Sequence, residues 1–131
     1  MSDKTDLYEA AKAAMRNAYA PYSDFPVGAA VRAPSGKIYT GCNVENASYP
    51  EGWCAETSAI AQMVSAGERT IVEIAVVAER AARVPPCGGC RQRIKEFGDA
   101  DTPIHLCDDH GIVETFTLGD LLPHGFGFDE E

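Results

Sequence analysis

Apolar residues recur at helical spacing near the start of the chain and at strand-like spacing after it. Residues 4–19 carry a narrow face of small apolar side chains, which predicts an amphipathic helix that packs closely on a sheet; its members are Leu7, Ala10, Ala11, Ala14 and Ala18. Residues 27–33 and 38–44 read as two strands, and the turn sequence at 34–37 between them predicts a hairpin.

The middle of the chain predicts two more helices around a buried strand. Helical spacing begins at Cys54 and ends at Gly67, a residue type that favours a helix C-cap. Residues 71–78 are nearly all apolar, which is typical of a strand covered on both faces. A third helix is predicted for residues 87–97, ending at Gly98.

Two short strands, 104–107 and 112–116, and an apolar tail, 118–128, complete the pattern. The order α-β-β-α-β-α-β-β predicts one α/β domain over residues 1–131, a three-layer α/β/α sandwich with a mixed five-stranded sheet. The second and third helices each follow a strand, so their N-termini should lie at the same end of the sheet, where open α/β sheets bind ligands.

Charge and cysteine content narrow the classes of function. The net charge is −9, from 20 acidic and 11 basic residues, and no Lys/Arg cluster offers a face for a polyanion. DNA, RNA and anionic membranes are therefore disfavoured as partners, and a small neutral molecule is favoured. The N-terminus is charged, without the apolar run of a signal peptide, and five cysteines, an odd number, favour thiols and metal over disulfides. We therefore expect a cytoplasmic protein.

Two cysteine clusters carry the candidate chemistry, Cys54-Ala55-Glu56 and Cys87-Gly88-Gly89-Cys90. Three thiolates suit zinc and leave one tetrahedral position for water. Glu56 lies about 200° around a helix axis from Cys54, so both reach one ion only beyond the helix end. We predict Cys54, Cys87 and Cys90 as ligands and Glu56 as the group that transfers protons.

Such a site has a surplus of negative charge. Zinc with three thiolates carries a net charge of −1, which opposes the activation of a bound water. Two helix N-termini would offset part of it. Arg91, next to Cys90, is the candidate donor to a thiolate.

The spacing of ligand-x-Glu and Pro-Cys-x-x-Cys is the signature of zinc nucleobase deaminases. More widely, the chain resembles cytidine deaminases of the small, homotetrameric, three-cysteine type. Segments from the first helix to the tail carry the resemblance: Pro21-Tyr22-Ser23, Phe25, Val27-Gly28-Ala29-Ala30, Gly41-Cys42-Asn43-Val44-Glu45-Asn46, Cys54-Ala55-Glu56, Pro86-Cys87-Gly88-Gly89-Cys90-Arg91-Gln92 and Leu121-Leu122-Pro123.

The resemblance implies a Zn2+ enzyme of pyrimidine salvage that deaminates cytidine and 2′-deoxycytidine. It implies that Phe25 stacks on the base, that the backbone of Ala55 reads it, and that Asn43 and Glu45 bind the ribose hydroxyls. Further substrate-binding positions, some from a neighbouring subunit of a homotetramer, are Asn46, Ala47, Tyr49 and Phe126.

One position departs from the family pattern. Relatives often carry Arg directly after the catalytic Glu, whereas this chain has Thr57, which can donate a hydrogen bond but brings no charge. The hypothesis is a more electron-rich zinc site that depends more on Arg91 and the helix ends. Thr57→Arg should then lower the acidic limb of the pH–rate profile.

Other interpretations stay open from the residues alone. A Cys-x-x-Cys pair also occurs in thioredoxin-like redox sites and in closed structural zinc sites, for which Cys42 or Cys107 could supply a fourth ligand. A deaminase of another aminopyrimidine, such as blasticidin S, and a non-catalytic zinc module are the alternative functions. No histidine shows ligand spacing, so all three are expected on the surface or in loops: His105, His110 and His124.

Overall fold

A mixed five-stranded sheet lies at the centre of the computed structural model, which describes residues 4–79 and 84–128. The strand order is β2-β1-β3-β4-β5, and of these neighbours β3 and β4 are parallel while the other pairs are antiparallel. The strands are β1 Val27–Arg32, β2 Ile38–Cys42, β3 Glu73–Ala78, β4 Pro103–Asp108 and β5 Gly111–Thr117. The predicted mixed sheet is confirmed.

Helices cover both faces of this sheet. The elements are α1 Lys4–Met15, α2 Ala55–Ser65, α3 Gly88–Phe97 and the short α4 Leu118–Leu121, with a 3-10 helix at Tyr49–Glu51. Residues of α1 form one buried cluster with one face of the sheet, and residues of α2 and α3 form a second cluster with the other face. The three-layer arrangement is confirmed. No helix in the described ranges is long and apolar enough to cross a membrane.

Two glycines allow the helices to lie directly on the strands. A Cβ added to Gly28 of β1 would lie 2.2 Å from the carbonyl oxygen of Ala11 in α1. A Cβ added to Gly41 of β2 would lie 2.4 Å from the backbone nitrogen of Ala59 in α2. The close approach places the start of α2 against the sheet, and the candidate site is built at that end of the helix.

The first helix is shorter than predicted. It ends at Met15, and the N–H groups of residues 16–18 donate to carbonyls three residues back, in a tighter turn. Tyr19 then leaves the helix, and its N–H donates to the carbonyl of Asn43 at 3.0 Å. A long-range backbone contact therefore stops this helix before its apolar pattern ends.

Gly67 ends α2 as predicted. Its φ is 98°, a left-handed conformation that glycine adopts without a steric penalty. The next N–H, of Glu68, donates to the carbonyl of Met63 at 3.1 Å, which satisfies a carbonyl of the last helical turn.

His105 is a correction. It is 2% exposed and lies inside β4, not on the surface or in a loop. Its Nε2 lies 2.9 Å from a carboxylate oxygen of Glu73, whose other oxygen accepts from Nε of buried Arg32, also at 2.9 Å. The buried ring is tolerated because both nitrogens have partners, Nδ1 lying 2.8 Å from the hydroxyl of Thr115. His110 and His124 are exposed, as predicted.

Candidate metal centre and active site

The three predicted ligands lie at the N-termini of two helices. Cys54 is the N-cap residue of α2 and Cys87 is the N-cap residue of α3, and neither uses its side chain to cap its own helix. Cys90 lies within the first turn of α3. The three sulfur atoms lie within 4.8 Å of one another, and Sγ of Cys54 is 3.9 Å from Sγ of Cys87. The fold therefore gathers thiols that are 33 residues apart in the chain.

This arrangement fits zinc. Zinc–sulfur bonds of about 2.3 Å in a tetrahedron separate the sulfur atoms by roughly 3.8 Å, close to the spacing found here. In residues 4–79 and 84–128, the metal-competent cluster consists of these three cysteines, so neither Cys42 nor Cys107 joins it. The geometry favours three protein ligands and one open position, not a closed four-cysteine site.

Glu56 lies in the first turn of α2 and is buried. Burial raises the pKa of its carboxyl above the ordinary value, while its own backbone N–H, the Cys90 thiol and the positive charge of Arg93 act in the opposite direction. A raised pKa allows a carboxyl to hold a proton nearer neutral pH, which a proton-transferring group requires.

The environment of Cys90 differs from that of the other two sulfurs. Cys90 is fully buried, and donation from its thiol to Cys54 is the main cause of a lowered pKa at Cys54 and a raised pKa at Cys90. Two donors approach the Cys90 sulfur: the hydroxyl of Thr57 at 3.5 Å and Nη1 of Arg93 at 3.9 Å.

Arg91 does not donate to a thiolate, contrary to prediction. Its Nε donates to the carbonyl of Pro86 at 2.7 Å, and its Nη1 donates to the carbonyl of Leu121 at 2.9 Å. The side chain therefore ties the segment before Cys87 to the end of α4. These two backbone carbonyls use two of the five donors of the guanidinium.

A cavity of about 270 Å³ opens beside the thiols. Its lining combines apolar, amide, acidic and thiol side chains, which suits a small polar ring. The lining residues are Ser23, Phe25, Val27, Asn43, Cys54, Ala55, Glu56, Val84, Pro85 and Cys87. Two of the predicted ligands, Cys54 and Cys87, thus share one cavity with the predicted acid and the predicted base-stacking residue, while the third, Cys90, is buried behind its lining.

Asn43 and Glu45 hold the loop that carries Phe25. The amide of Asn43 accepts from the N–H of Val27 at 2.9 Å and donates to the carbonyl of Phe25 at 3.0 Å. The carboxylate of Glu45 accepts from the hydroxyl of Ser23, which is the main cause of its lowered pKa, and from the backbone of residues 22 and 23. Both side chains retain further hydrogen-bonding capacity for a ligand.

A second cavity of about 390 Å³ adjoins the first, and Ser23 lines both. Glu45, Asn46 and Tyr49 are among its lining residues. Tyr49 is 75% exposed and meets Tyr22 edge-on.

Ala47 and Phe126 lie outside the linings of both cavities. Phe126 is 65% exposed, and its backbone is held by two hydrogen bonds with the Gln92 amide, at 2.9 and 3.1 Å. The ring of Phe126 therefore lies on the surface of the chain and lines neither cavity.

Sequence reasoning missed five residues of the site. Ser23, Val27, Val84 and Pro85 line the cavity, and Arg93 approaches a ligand sulfur. A signal existed for Arg93, because it lies three residues after Cys90 on a predicted helix and so on the same face. No spacing rule pointed to the other four, which long-range packing brings to the cavity.

Comparison with known proteins agrees with this geometry. A family model described as the cytidine and deoxycytidylate deaminase zinc-binding region matches residues 1–106. A cytidine deaminase from Sporosarcina psychrophila is 44% identical, covering 98% of this chain and 94% of its own. One from Mycobacterium tuberculosis is 42% identical over 89% of this chain and 84% of its own. The crystal structure of the Burkholderia pseudomallei cytidine deaminase superposes with a TM-score of 0.90 at 46% identity, covering 95% of this chain and all of that one. The chain belongs to the cytidine deaminase family, with the zinc-binding cysteines and the buried glutamate of that family's signature in place.

Proposed function

We propose that the protein hydrolyses cytidine and 2′-deoxycytidine to uridine and 2′-deoxyuridine, releasing ammonia. One observation carries this proposal: the three thiols form one cluster, and two of them line a cavity together with the buried acid Glu56, Phe25 and Asn43. The names of its relatives support the same reaction.

Cys54, Cys87 and Cys90 would hold the zinc ion, which when bound supplies a Lewis acid that makes a water molecule acidic near neutral pH. Glu56 would take a proton from the attacking water as the water oxygen adds to C4 of the base, and would give that proton to N3. Glu56 would then transfer the remaining hydroxyl proton to the exocyclic amine, so that the C4–N bond breaks, a C4 carbonyl forms and ammonia leaves. Because Glu56 is buried in low-dielectric surroundings, its carboxyl is suited both to accept a proton and to give one up.

The rest of the cavity selects the substrate. Phe25 would stack on the pyrimidine and the backbone of Ala55 would read its edge, while Asn43 and Glu45 would bind the ribose hydroxyls. Glu45 stays ionised because Ser23 lowers its pKa, so it accepts from hydroxyls and repels a phosphate. An unphosphorylated nucleoside is therefore the preferred substrate class.

The assembly we propose is a homotetramer in which a neighbour's residues complete each pocket. The candidate contributors are the segment 47–49, with Ala47 and Tyr49 at its ends, and Phe126 of the tail. Support comes from exposed aromatic rings: Tyr49 is 75% exposed, Phe126 65% and Phe128 91%. Rings this exposed favour burial against another surface.

Truncation of one ring tests the assembly. Because Gln92 holds the backbone of residue 126 and not its ring, Phe126→Ala removes the ring without releasing the tail. Sedimentation should show weaker association, and steady-state kinetics should show a higher KM for cytidine. A fully assembled variant with unchanged KM would refute a role in the assembly and in the pocket.

A cytoplasmic role in pyrimidine salvage completes the proposal. All five cysteines are free thiols, and a reducing compartment keeps thiols available for zinc.

Ammonia release from cytidine tests the function directly. Wild-type protein should release ammonia. Glu56→Gln, which keeps the size of the side chain, should retain zinc but release ammonia at least about 100-fold more slowly. Loss of zinc in Glu56→Gln would make Glu56 structural. No release by zinc-loaded wild-type protein would refute cytidine as the substrate, and blasticidin S is the next compound to assay.

A further inference from the structure

The buried thiolate of Cys90 lacks an obvious source of charge compensation. Zinc with three thiolates carries one surplus negative charge, and the buried carboxyl of Glu56 lies beside it. Cys54 and Cys87 are partly or largely exposed, so water can solvate them, whereas Cys90 is fully buried. Burial of an uncompensated charge is costly, so Cys90 is the ligand that most needs a positive neighbour.

Arg93 is placed to meet that need. It lies three residues after Cys90 on α3, on the same face, and its Nη1 is 3.9 Å from the Cys90 sulfur. Its side chain turns back toward the helix N-terminus, as long helical side chains commonly do.

Gly89 provides the room for this conformation. A Cβ at position 89 would lie 3.1 Å from Nη1 of Arg93, closer than ordinary contact. The guanidinium therefore lies over the bare backbone of the first turn of α3, between the two cysteines of the motif.

The facing helix, α2, brings no positive charge to the same sulfur, and its Glu56 carboxyl adds to the negative charge there. Thr57 of α2 approaches Cys90 at 3.5 Å with a hydroxyl, which can donate one hydrogen bond. Arg91, the residue next to Cys90, is engaged by two carbonyls. Of these three residues, Arg93 is the one that brings a positive charge to the Cys90 sulfur.

We propose that Arg93 is a positioning residue that offsets the charge of the Cys90 thiolate and so strengthens zinc binding. This inference rests on the zinc site of the proposed function. Arg93 acts through Cys90 and lines neither of the two cavities beside the thiols.

Zinc affinity, measured by competition with a chromophoric chelator, tests the role without using activity. Arg93→Gln should weaken zinc binding about tenfold, the lower end of the effect of removing a partner of a metal ligand, because much of the Arg93 side chain is exposed. Arg93→Lys keeps a positive charge at the end of a long side chain and should retain most of the affinity.

Arg69→Gln is the matched control. It changes the net charge equally, but Arg69 is an exposed residue beyond the far end of α2, whose 11 residues span about 16 Å. Its zinc affinity should equal that of the wild type.

The outcomes separate the two proposals. Unchanged affinity in Arg93→Gln, or equal loss in Arg93→Gln and Arg93→Lys, would overturn the charge-balancing role. Equal loss in Arg69→Gln would also overturn it, since net charge alone would then account for the effect. Wild-type protein that fails to bind zinc would instead refute the proposed function.

Discussion

Replacing Gly41 by alanine should damage the fold and the zinc site together. Gly41 lies on β2 beneath α2, and the added Cβ would lie 2.4 Å from the nitrogen of Ala59 and 2.6 Å from Cβ of Ser58. Ordinary contact begins at 3.4 Å, so the helix must move away from the strand by about 1 Å. One added methyl group thus displaces a whole element.

The energetic cost follows from overpacking. Extra methyl groups in a well-packed interior cost about 1–3 kcal/mol, and contact with helix backbone places Gly41→Ala at the upper end, about 3 kcal/mol. A domain has roughly 5–15 kcal/mol of stability in total, so the variant should still fold. The midpoint of urea unfolding should fall by roughly 1 M or more.

The site should respond because its ligands come from two helices. Displacing α2 moves Cys54 and Glu56 relative to Cys87 and Cys90 on α3. Three sulfurs at tetrahedral spacing tolerate little separation, so zinc affinity should fall along with stability.

Urea unfolding at one fixed protein concentration and chelator competition are the two assays, since association makes stability depend on concentration. Two glycines serve as controls. In Gly28→Ala the new Cβ would lie 2.2 Å from the carbonyl oxygen of Ala11 in α1, on the other face of the sheet. This variant should therefore be less stable but should keep its zinc affinity when folded. Gly88→Ala adjoins Cys87 but has nothing within 4 Å of the new Cβ, so it should lose neither. Wild-type zinc affinity in a destabilised Gly41→Ala would refute the mechanical link between β2 and the site.

Three further outcomes are expected. Cys87→Ala should lose zinc and lower the temperature of unfolding, which atomic absorption and calorimetry measure. Glu73→Gln should lower the free energy of unfolding at pH 7 by about 2 kcal/mol, because buried Arg32 loses the charged Glu73 oxygen that it donates to. Burial alone would raise the Glu73 pKa, but hydrogen bonds from His105 and Arg32 lower it, so the stabilisation by Glu73 is present above about pH 4.3 and is lost as pH falls through the lower folded pKa. The stability of the variant should therefore depend less on pH over that acidic range. Ser23→Ala should raise KM for cytidine more than it changes kcat, since it removes the hydroxyl that orients Glu45; an unchanged KM would contradict a ribose-binding role for Glu45.

The order of elements, the mixed sheet and the candidate zinc ligands could be predicted from local patterns in the sequence. The helical spacing of apolar residues in α1 reflects a helix that is buried along one stripe, and the continuous apolar run in β3 reflects a strand that is covered on both faces. Both patterns are local in the sequence. The cysteines could be assigned because three soft ligands at these spacings have few other uses.

Tertiary structure decided the features that depend on residues distant in the chain. The first helix stops early because Tyr19 pairs with Asn43, and His105 is buried because Glu73, 32 residues away, provides a partner. Neither contact leaves a periodic trace in the sequence. The same holds for the two arginines near the thiols: Arg91 is adjacent to Cys90 but turns to carbonyls, whereas Arg93, one helical turn on, reaches the sulfur. Proximity along the chain indicates which charges are available, but the direction of each side chain, set by packing, decides which ligand they stabilise.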